Sequence, residues 1–180
     1  DAEDLACGCN DADSCNDCAG TPNGDSVLDD CGVCDGDNAC LDSALTLGAF
    51  DANGSLEVLY DFGGPVAGFQ FDVTGLALTG GSGGAAGDAG LTVSAGGGTV
   101  LGFSFNNSEI AAGSGVLTVL TFSDVTAGSS DLSLGNFGAL VDASGNVYTV
   151  TVSGSINHGN PDCTGSYYGS ALVDECGICD

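Results

Sequence analysis

The sequence predicts an all-β sandwich or barrel with a short segment rich in cysteine and aspartate at each end. Three observations predict it. Short apolar or alternating runs recur between Gly, Ser, Asn and Asp clusters from about residue 43 to residue 160. No part of this region keeps a helical period over ten residues. All ten cysteines lie outside it. We therefore divide the chain into residues 1–42, 43–160 and 161–180.

The middle region is predicted to contain about nine strands. The alternation is plainest in residues 69–73 and 148–152, and turn residues such as those at 52–54 separate the runs. A region of about 115 residues with nine short strands is typical of a sandwich or barrel and can bury a core. The predicted strands are residues 45–50, 56–61, 66–74, 91–94, 100–105, 116–122, 132–134, 139–141 and 147–156.

Large apolar residues of these strands are the predicted core. Residues 80–98 are rich in Gly and Ala, so we expect a long flexible loop there, interrupted by the strand at 91–94. The predicted core residues are Phe69, Phe71, Phe103, Phe105, Leu117, Val119, Phe122, Val150 and Val152.

The charge of the chain excludes two classes of partner. It has 25 Asp and Glu residues, no Lys and no Arg, and a formal net charge of −25. No basic patch can form, so nucleic acids and anionic membranes are excluded. Each carboxylate must be solvated, bonded to backbone N–H groups, or neutralised by cations. Calcium is the favoured neutralising cation, because it takes about six to eight oxygen ligands. Screening by salt is the alternative.

The ten cysteines predict a disulfide framework in an oxidising compartment, and therefore a secreted, extracellular or cell-surface protein. The C-x-x-C pairs at 31–34 and 176–179 also fit a zinc site, but they lie among Asp and Gly, which favours disulfides. The cysteines are Cys7, Cys9, Cys15, Cys18, Cys31, Cys34, Cys40, Cys163, Cys176 and Cys179.

The two ends of the chain match each other. Residues 17–35 align without gaps on residues 162–180, and three Cys and three Asp fall in register. The second copy stops where the first continues to Cys40, which predicts either a longer array or completion by another molecule. Both ends hold an odd number of cysteines, so at least one bond must join them if all ten pair. We expect Cys179 to reach a neighbouring unit, because its equivalent Cys34 could pair locally with Cys40.

The acidic residues of both ends predict calcium binding. Calcium loops need alternating oxygen ligands and a glycine at a sharp bend, as at residues 11–13, 23–25 and 35–38. The full EF-hand pattern is absent, and a solvated acidic turn is the alternative. The predicted ligands are Asp11, Asp13, Asp17, Asn23, Asp25, Asp29, Asp30, Asp35, Asp37, Asn38, Asp162, Asp174, Glu175 and Asp180.

The ends resemble two kinds of calcium-binding repeat. Asp-Cys-x-Gly occurs at 17–20 and 162–165, Asp-x-Cys-Gly-x-Cys at 29–34 and 174–179, and Cys-Asp-Gly-Asp-Asn at 34–38. These motifs resemble the Asp/Cys/Gly-rich repeats of large secreted surface proteins of bacteria. They also resemble thrombospondin type 3 repeats, which wrap calcium ions and are crosslinked by disulfides. The spacing departs from the thrombospondin pattern.

The middle region resembles a cohesin-like jelly-roll. Val-Ala-Gly-Phe-Gln-Phe-Asp-Val at 66–73 and Gly-Val-Leu-Thr-Val-Leu-Thr-Phe at 115–122 resemble two cohesin strands. Residues 142–147 followed by 150–156 resemble the final hairpin. The resemblance covers about residues 44–156. It implies a jelly-roll sandwich of about nine strands that binds dockerin modules or serves in assembly, although no dockerin-contacting residue can be mapped.

An enzyme is not predicted. The only histidine, His158, lies beside Gly159 in what we interpret as a linker. Phosphoryl transfer would lack its Lys or Arg clamp. A glycosidase with two carboxylates is not supported by any Trp or aromatic platform.

The favoured function is structural. Units would assemble head-to-tail with copies of themselves into an extracellular filament or matrix, with joints stabilised by calcium and disulfides. The alternative is a cohesin-like or carbohydrate-binding adhesion module, whose partner is a glycan or a dockerin-like module. Tyr167 and Tyr168 would suit such binding if exposed, but packing against the sandwich end is favoured. Asn53 and Asn106 match the N-glycosylation acceptor pattern.

Overall fold

A computed structural model of the protein describes residues 16–22, 24–29, 34–36 and 42–180. The chain forms two compact units, residues 1–41 and residues 42–180. The second unit holds the sandwich together with the last twenty residues. We call residues 1–42 the N-terminal Cys/Asp segment and residues 161–180 the C-terminal Cys/Asp segment.

Residues 42–157 form eleven strands and one short helix. The helix, α1, is Gly84–Asp88. Among the described residues, no helix has the length and apolar character that crossing a bilayer requires. The strands are β1 (Asp42–Asp51), β2 (Ser55–Phe62), β3 (Gly68–Val73), β4 (Leu76–Ser82), β5 (Thr92–Gly96), β6 (Thr99–Phe103), β7 (Gly113–Val125), β8 (Ser129–Ser133), β9 (Ala139–Val141), β10 (Thr149–Ser153) and β11 (Ser155–Asn157).

The strands form two sheets. One has the order β10-β1-β2-β7-β4, and the other has the order β11-β8-β3-β6-β5, with β9 also paired to β3. Within these sheets the pairings are antiparallel except for β1 with β10. The last strand region changes sheet at Gly154, whose φ is 117°. A Cβ at this position would lie 2.8 Å from the backbone N of Leu47, so the crossover needs glycine.

The core lies between the two sheets and consists of the inward-facing apolar residues of each strand. Leu56, Val58, Phe71, Val100 and Leu117 are all fully buried. Burial of each such side chain contributes about 1.5–3 kcal/mol to folding, so these alternating residues are the main source of stability.

The predicted all-β sandwich is confirmed, but its strand list needs three corrections. β4 is missing from the prediction, because its second half, Thr79–Ser82, consists of residues with low or mixed strand propensity. The predicted loop at 80–98 is wrong where it contains the end of β4 and α1, but the strand predicted within it at 91–94 is present as β5. The predicted strand at 147–156 is two strands, because the chain turns from one sheet to the other at Gly154.

The predicted core is right in four places and wrong in one. Phe69, Phe71, Leu117 and Phe122 are buried. Phe105 is 85% exposed, because β6 ends at Phe103 and the chain leaves the sheet there. The remaining predicted core residues are half-buried: Phe103, Val119, Val150 and Val152.

Candidate functional site

In the described part of the N-terminal Cys/Asp segment, the carboxylate of Asp17 accepts several backbone hydrogen bonds. Its Oδ1 atom accepts hydrogen bonds from the backbone N–H groups of Ala19 at 3.0 Å and Thr21 at 2.7 Å. Its Oδ2 atom accepts one from the N–H of Ser26 at 3.3 Å. One side chain therefore holds three points of a segment that is too short to bury a core of its own.

The C-terminal Cys/Asp segment contains the same arrangement 145 residues later. Oδ1 of Asp162 accepts hydrogen bonds from the N–H groups of Thr164 and Ser166, both at 2.9 Å. Oδ2 accepts one from the N–H of Ala171 at 3.3 Å. Each donor lies at the position equivalent to one of the donors to Asp17, so the internal match in sequence has a counterpart in hydrogen bonding.

These hydrogen bonds stabilise the charged form of both carboxylates. The N–H of Thr21 is the largest of the causes that lower the pKa of Asp17 below its ordinary value. The hydroxyl of Thr164, 2.6 Å from Oδ1, is the largest cause of the lowered pKa of Asp162. A carboxylate that accepts several N–H bonds favours its ionised form. Backbone amides thus stabilise part of the negative charge without a cation.

Among the described residues, each Cys/Asp segment contains one disulfide. Cys18 is bonded to Cys34 and Cys163 to Cys179, both across a separation of 16 residues. The prediction that Cys179 reaches a neighbouring unit is therefore wrong, as is the local pairing of Cys34 with Cys40. Cys176, a predicted disulfide partner, is an exposed free cysteine. The other predicted disulfide cysteines lie outside the described residues: Cys7, Cys9, Cys15, Cys31 and Cys40.

Within the described parts of the chain, carboxylates do not gather into a calcium cage. The one close group of metal-ligating residue types there is Cys18, Cys34 and Asp35. Both of its cysteines are in a disulfide and offer no thiolate, so this group does not fit calcium or zinc. Calcium binding remains a prediction. Six predicted ligands lie outside the described residues: Asp11, Asp13, Asn23, Asp30, Asp37 and Asn38.

Other predicted calcium ligands bond to backbone amides or lie exposed. Oδ1 of Asp35 accepts a hydrogen bond from the N–H of Val27 at 3.2 Å. Oδ1 of Asp174 accepts two, from Cys176 and Ile178, both at 2.8 Å. Asp29 is half-buried, and three further ligands are exposed: Asp25, Glu175 and Asp180.

An apolar groove crosses the outer face of the six-stranded sheet. The register places side chains of β9 on one side of β3 and side chains of β6 on the other. Gly68 lies between Val141 and Phe103 in this register, so it forms the floor. We call this the β3 groove, and its outward-facing lining consists of Gly68, Gln70, Leu101, Phe103, Phe137, Ala139 and Val141.

Gly102 explains why two large apolar residues of β6 face outward. A Cβ at Gly102 would lie 2.1 Å from Cζ of Phe69, so the Phe69 ring fills the inward position of Gly102. Because side chains alternate along a strand, Leu101 and Phe103 then project into the groove. Phe103 was predicted in the core, although the glycine between two apolar residues of β6 is a signal that they face outward.

The β3 groove leaves large apolar side chains open to solvent. Phe137 is 83% exposed and Leu101 is 40% exposed. The ring of Phe105 meets that of Phe103 edge-on, with 4.9 Å between centroids, and extends the apolar surface. Contiguous exposed apolar surface of this kind marks interaction sites.

Acidic residues lie around the β3 groove. Asp72 continues β3 beyond the groove and accepts a hydrogen bond from the Thr99 hydroxyl at 2.8 Å. Asp142 directly follows Val141. Burial tends to raise the pKa of Asp142, but hydrogen bonds from Asn146 and neighbouring residues have the larger combined effect, so its pKa is lowered. With no Lys or Arg in the chain, the rim is negative.

His158 and the tyrosine pair form a separate aromatic cluster. His158 lies in the irregular stretch after β11, as the linker interpretation expects, but it is buried, with 7% of its surface exposed. The Tyr168 ring lies 5.8 Å from that of Phe50 and 5.7 Å from that of His158, measured between centroids. Tyr168 therefore contacts the sandwich end, as predicted, although 53% of its surface is exposed.

Both predicted glycosylation sites are exposed. The side-chain amide of Asn53 donates a hydrogen bond to Asp51 at 2.7 Å in the β1–β2 turn. Oδ1 of Asn106 accepts hydrogen bonds from the hydroxyls of Ser104 and Ser108 in the loop after β6. Glycosylation remains a prediction for both.

Three solved cohesin structures are similar to this chain. A non-cellulosomal cohesin from the hyperthermophilic archaeon Archaeoglobus fulgidus is 17% identical, with 64% of this chain and 90% of that chain covered and a TM-score of 0.46. The sixth cohesin of Acetivibrio cellulolyticus scaffoldin B, solved with a Cel5 dockerin mutant, is 16% identical, with 64% and 97% covered and a TM-score of 0.44. The OlpA cohesin of Clostridium thermocellum, solved with the Doc918 dockerin, is 18% identical, with the same coverage and TM-score. Scores of this size assign no function. No protein-family model and no curated protein matches the chain.

Proposed function

We propose that the protein is a non-catalytic extracellular adhesion module that binds a protein partner across the β3 groove. The observation that carries the proposal is Phe137, which is 83% exposed in the turn between β8 and β9 and lines the groove together with Leu101 and Phe103 of β6. Aromatic side chains of this kind contribute a large share of binding energy at protein interfaces. The antiparallel pairing of β3 with β6 and β9 lies beneath Leu101 and Phe103 and provides a regular backbone base.

A dockerin-like module is the partner class that we propose, on the basis of the resemblance of the middle region to cohesins. The cohesin-resembling motif at 66–73 includes β3, the strand that forms the floor of the groove. The acidic rim favours a partner with an apolar centre and basic residues around it, because complementary charge raises the association rate and selects the partner. The two disulfides fit an oxidising, extracellular compartment.

Isothermal titration calorimetry against a panel of purified dockerin modules tests this proposal. We expect at least one dockerin to bind, and Phe137→Ser to weaken that binding by about thirtyfold, which corresponds to a loss of about 2 kcal/mol. Leu172→Ser is the matched control, since Leu172 is 74% exposed but lies in the C-terminal Cys/Asp segment. Equal weakening by both substitutions would remove the groove as the binding site. Failure of every dockerin to bind would refute the partner class.

Head-to-tail assembly is the second candidate function. It is favoured by the matched hydrogen bonds and disulfides of the two Cys/Asp segments and by the exposed thiol of Cys176. A copy with a net charge of −25 repels another copy, so this candidate requires a divalent cation such as calcium at the joint.

Electron microscopy in calcium and after chelation with EGTA tests assembly. We expect ordered polymers in calcium that fragment on chelation, and disulfide-linked species on non-reducing electrophoresis. Single particles under both conditions, together with monomers alone on the gel, would refute it.

A further inference from the structure

The C-terminal Cys/Asp segment meets the sandwich at His158. This residue directly follows β11, and its backbone N–H donates a hydrogen bond to the carbonyl of Gly128 at 2.8 Å. Its side chain is almost fully buried. It is also the only side chain in the protein that can become a cation near neutral pH.

The two ring nitrogens of His158 connect different parts of the unit. Nε2 lies 2.7 Å from the hydroxyl of Ser130 on β8. Nδ1 lies 2.8 Å from the hydroxyl of Tyr168 in the C-terminal Cys/Asp segment. The Phe50 ring of β1 covers the imidazole, with 4.8 Å between centroids. The imidazole therefore forms hydrogen bonds with both the sandwich and the C-terminal Cys/Asp segment.

The backbone of Tyr168 shows that this contact constrains the segment. Its φ is 59°, in the left-handed region that is costly for a bulky residue. At the equivalent position of the other repeat copy the sequence has Asn23, a residue type that enters this region readily. Tyrosine at position 168 is accounted for by its ring, which packs on Phe50 and reaches His158.

Few charged groups act on His158. From β8, Asp131 favours the imidazolium. From the segment, Tyr168 and Tyr167 present neutral phenols, and Phe50 of β1 is apolar. Burial is the larger effect, and it lowers the pKa of His158 below its ordinary value despite Asp131. The folded unit therefore favours the neutral ring.

We propose that His158 is a pH-controlled latch that holds the C-terminal Cys/Asp segment on the sandwich when neutral and releases it when protonated. A charged ring can still donate to both hydroxyls, but it remains enclosed by Phe50 and Tyr168. Hydration of the charge requires Tyr168 to move away, because Ser130 belongs to the sheet. The stabilising contribution is present above the pKa of the unfolded state and is lost as pH falls through the folded-state pKa.

Nuclear magnetic resonance of the full chain between pH 8 and pH 5 tests the latch. We expect backbone relaxation to show residues 162–180 moving with the sandwich at pH 8 and independently at pH 5. The midpoint should coincide with the titration of the His158 ring, and His158→Gln should remove the pH dependence. Rigid behaviour of the segment after the ring has titrated would overturn the proposal.

Substitution of the tyrosines separates the latch from general packing. Tyr168→Phe keeps the ring and removes the hydroxyl bonded to Nδ1, so we expect release to become about fivefold easier at pH 8. Tyr167→Phe is the matched control, because its ring lies 6.4 Å from that of His158 and no hydrogen bond joins them. Equal effects of the two substitutions would also overturn the proposal.

Discussion

Gly102 offers a direct test of how the β3 groove is built. In Gly102→Ala, the new Cβ would lie between 2.1 and 2.5 Å from three atoms of the Phe69 ring. Ordinary carbon contacts are about 3.5–4.0 Å, so the ring must move by more than 1 Å. Phe69 has little room for this movement, since it is 2% exposed and stacks on Phe71 with 5.7 Å between centroids.

The expected cost follows from two opposing effects. Forcing an extra methyl group into a packed core destabilises a protein by about 1–3 kcal/mol. Replacing glycine by alanine in a strand raises the free energy of unfolding by about 0.5–1 kcal/mol, because the unfolded chain becomes less flexible. We therefore expect Gly102→Ala to lower the free energy of unfolding by about 1–2 kcal/mol. Gly96→Ala in β5 is the matched control, because a Cβ there meets nothing within 4 Å.

Urea denaturation followed by tyrosine fluorescence measures both variants, since the chain has four Tyr and no Trp. Gly96→Ala should be as stable as the parent or slightly more stable. Adding Phe69→Leu to Gly102→Ala should recover part of the loss, because the smaller side chain frees the space. The explanation of the groove would be refuted if Gly102→Ala were as stable as Gly96→Ala.

Three further predictions concern the Cys/Asp segments. Replacing both Cys163 and Cys179 by serine should destabilise the C-terminal segment by about 3 kcal/mol, the value expected for a disulfide that closes a loop of this length. Amide hydrogen exchange should then become faster over residues 162–180 and stay unchanged in the sandwich. The pKa of Asp162 is lowered, mainly by the Thr164 hydroxyl, so its contribution to stability is present above the unfolded-state pKa and lost as pH falls through the folded-state pKa. Asp162→Asn should remove this part of the acid dependence, measured by circular dichroism below pH 5. An unchanged acid profile would contradict the prediction. Calcium titration by calorimetry should detect binding that Asp37→Asn weakens and that Asp88→Asn, in α1, leaves unchanged; no heat of binding would refute the calcium prediction.

The sandwich could be predicted from the sequence because its strands carry a local signal. Alternation of apolar and polar residues, as in residues 69–73, depends only on which side of a strand each side chain faces. The two Cys/Asp segments were equally visible, since the match of Asp17 with Asp162 and of Cys18 with Cys163 is written in the order of residues. Local pattern and internal repetition were therefore sufficient for the fold class and for these segments.

The pairing of the cysteines needed the tertiary structure. The separations Cys18–Cys34 and Cys163–Cys179 are both 16 residues, but several other pairings satisfy the same sequence. Only in the folded segments do the Cα atoms of these particular pairs lie 5.4 and 5.6 Å apart. The odd number of cysteines at each end predicted a disulfide between the two ends. In the structure, Cys176 at the C-terminal end is a free cysteine.

The sequence by itself determined the class of fold, the acidic character and the repeated Cys/Asp segments, because each depends on residue type and local spacing. Only the tertiary structure decided that Leu101 and Phe103 face solvent, that Phe137 joins them, and that His158 is buried under Phe50. Those outcomes depend on contacts between residues that are distant in the chain, such as Phe69 with Gly102 and Tyr168 with Phe50. Packing in three dimensions selects which of two faces a strand residue occupies, and local pattern cannot distinguish the faces when both are apolar.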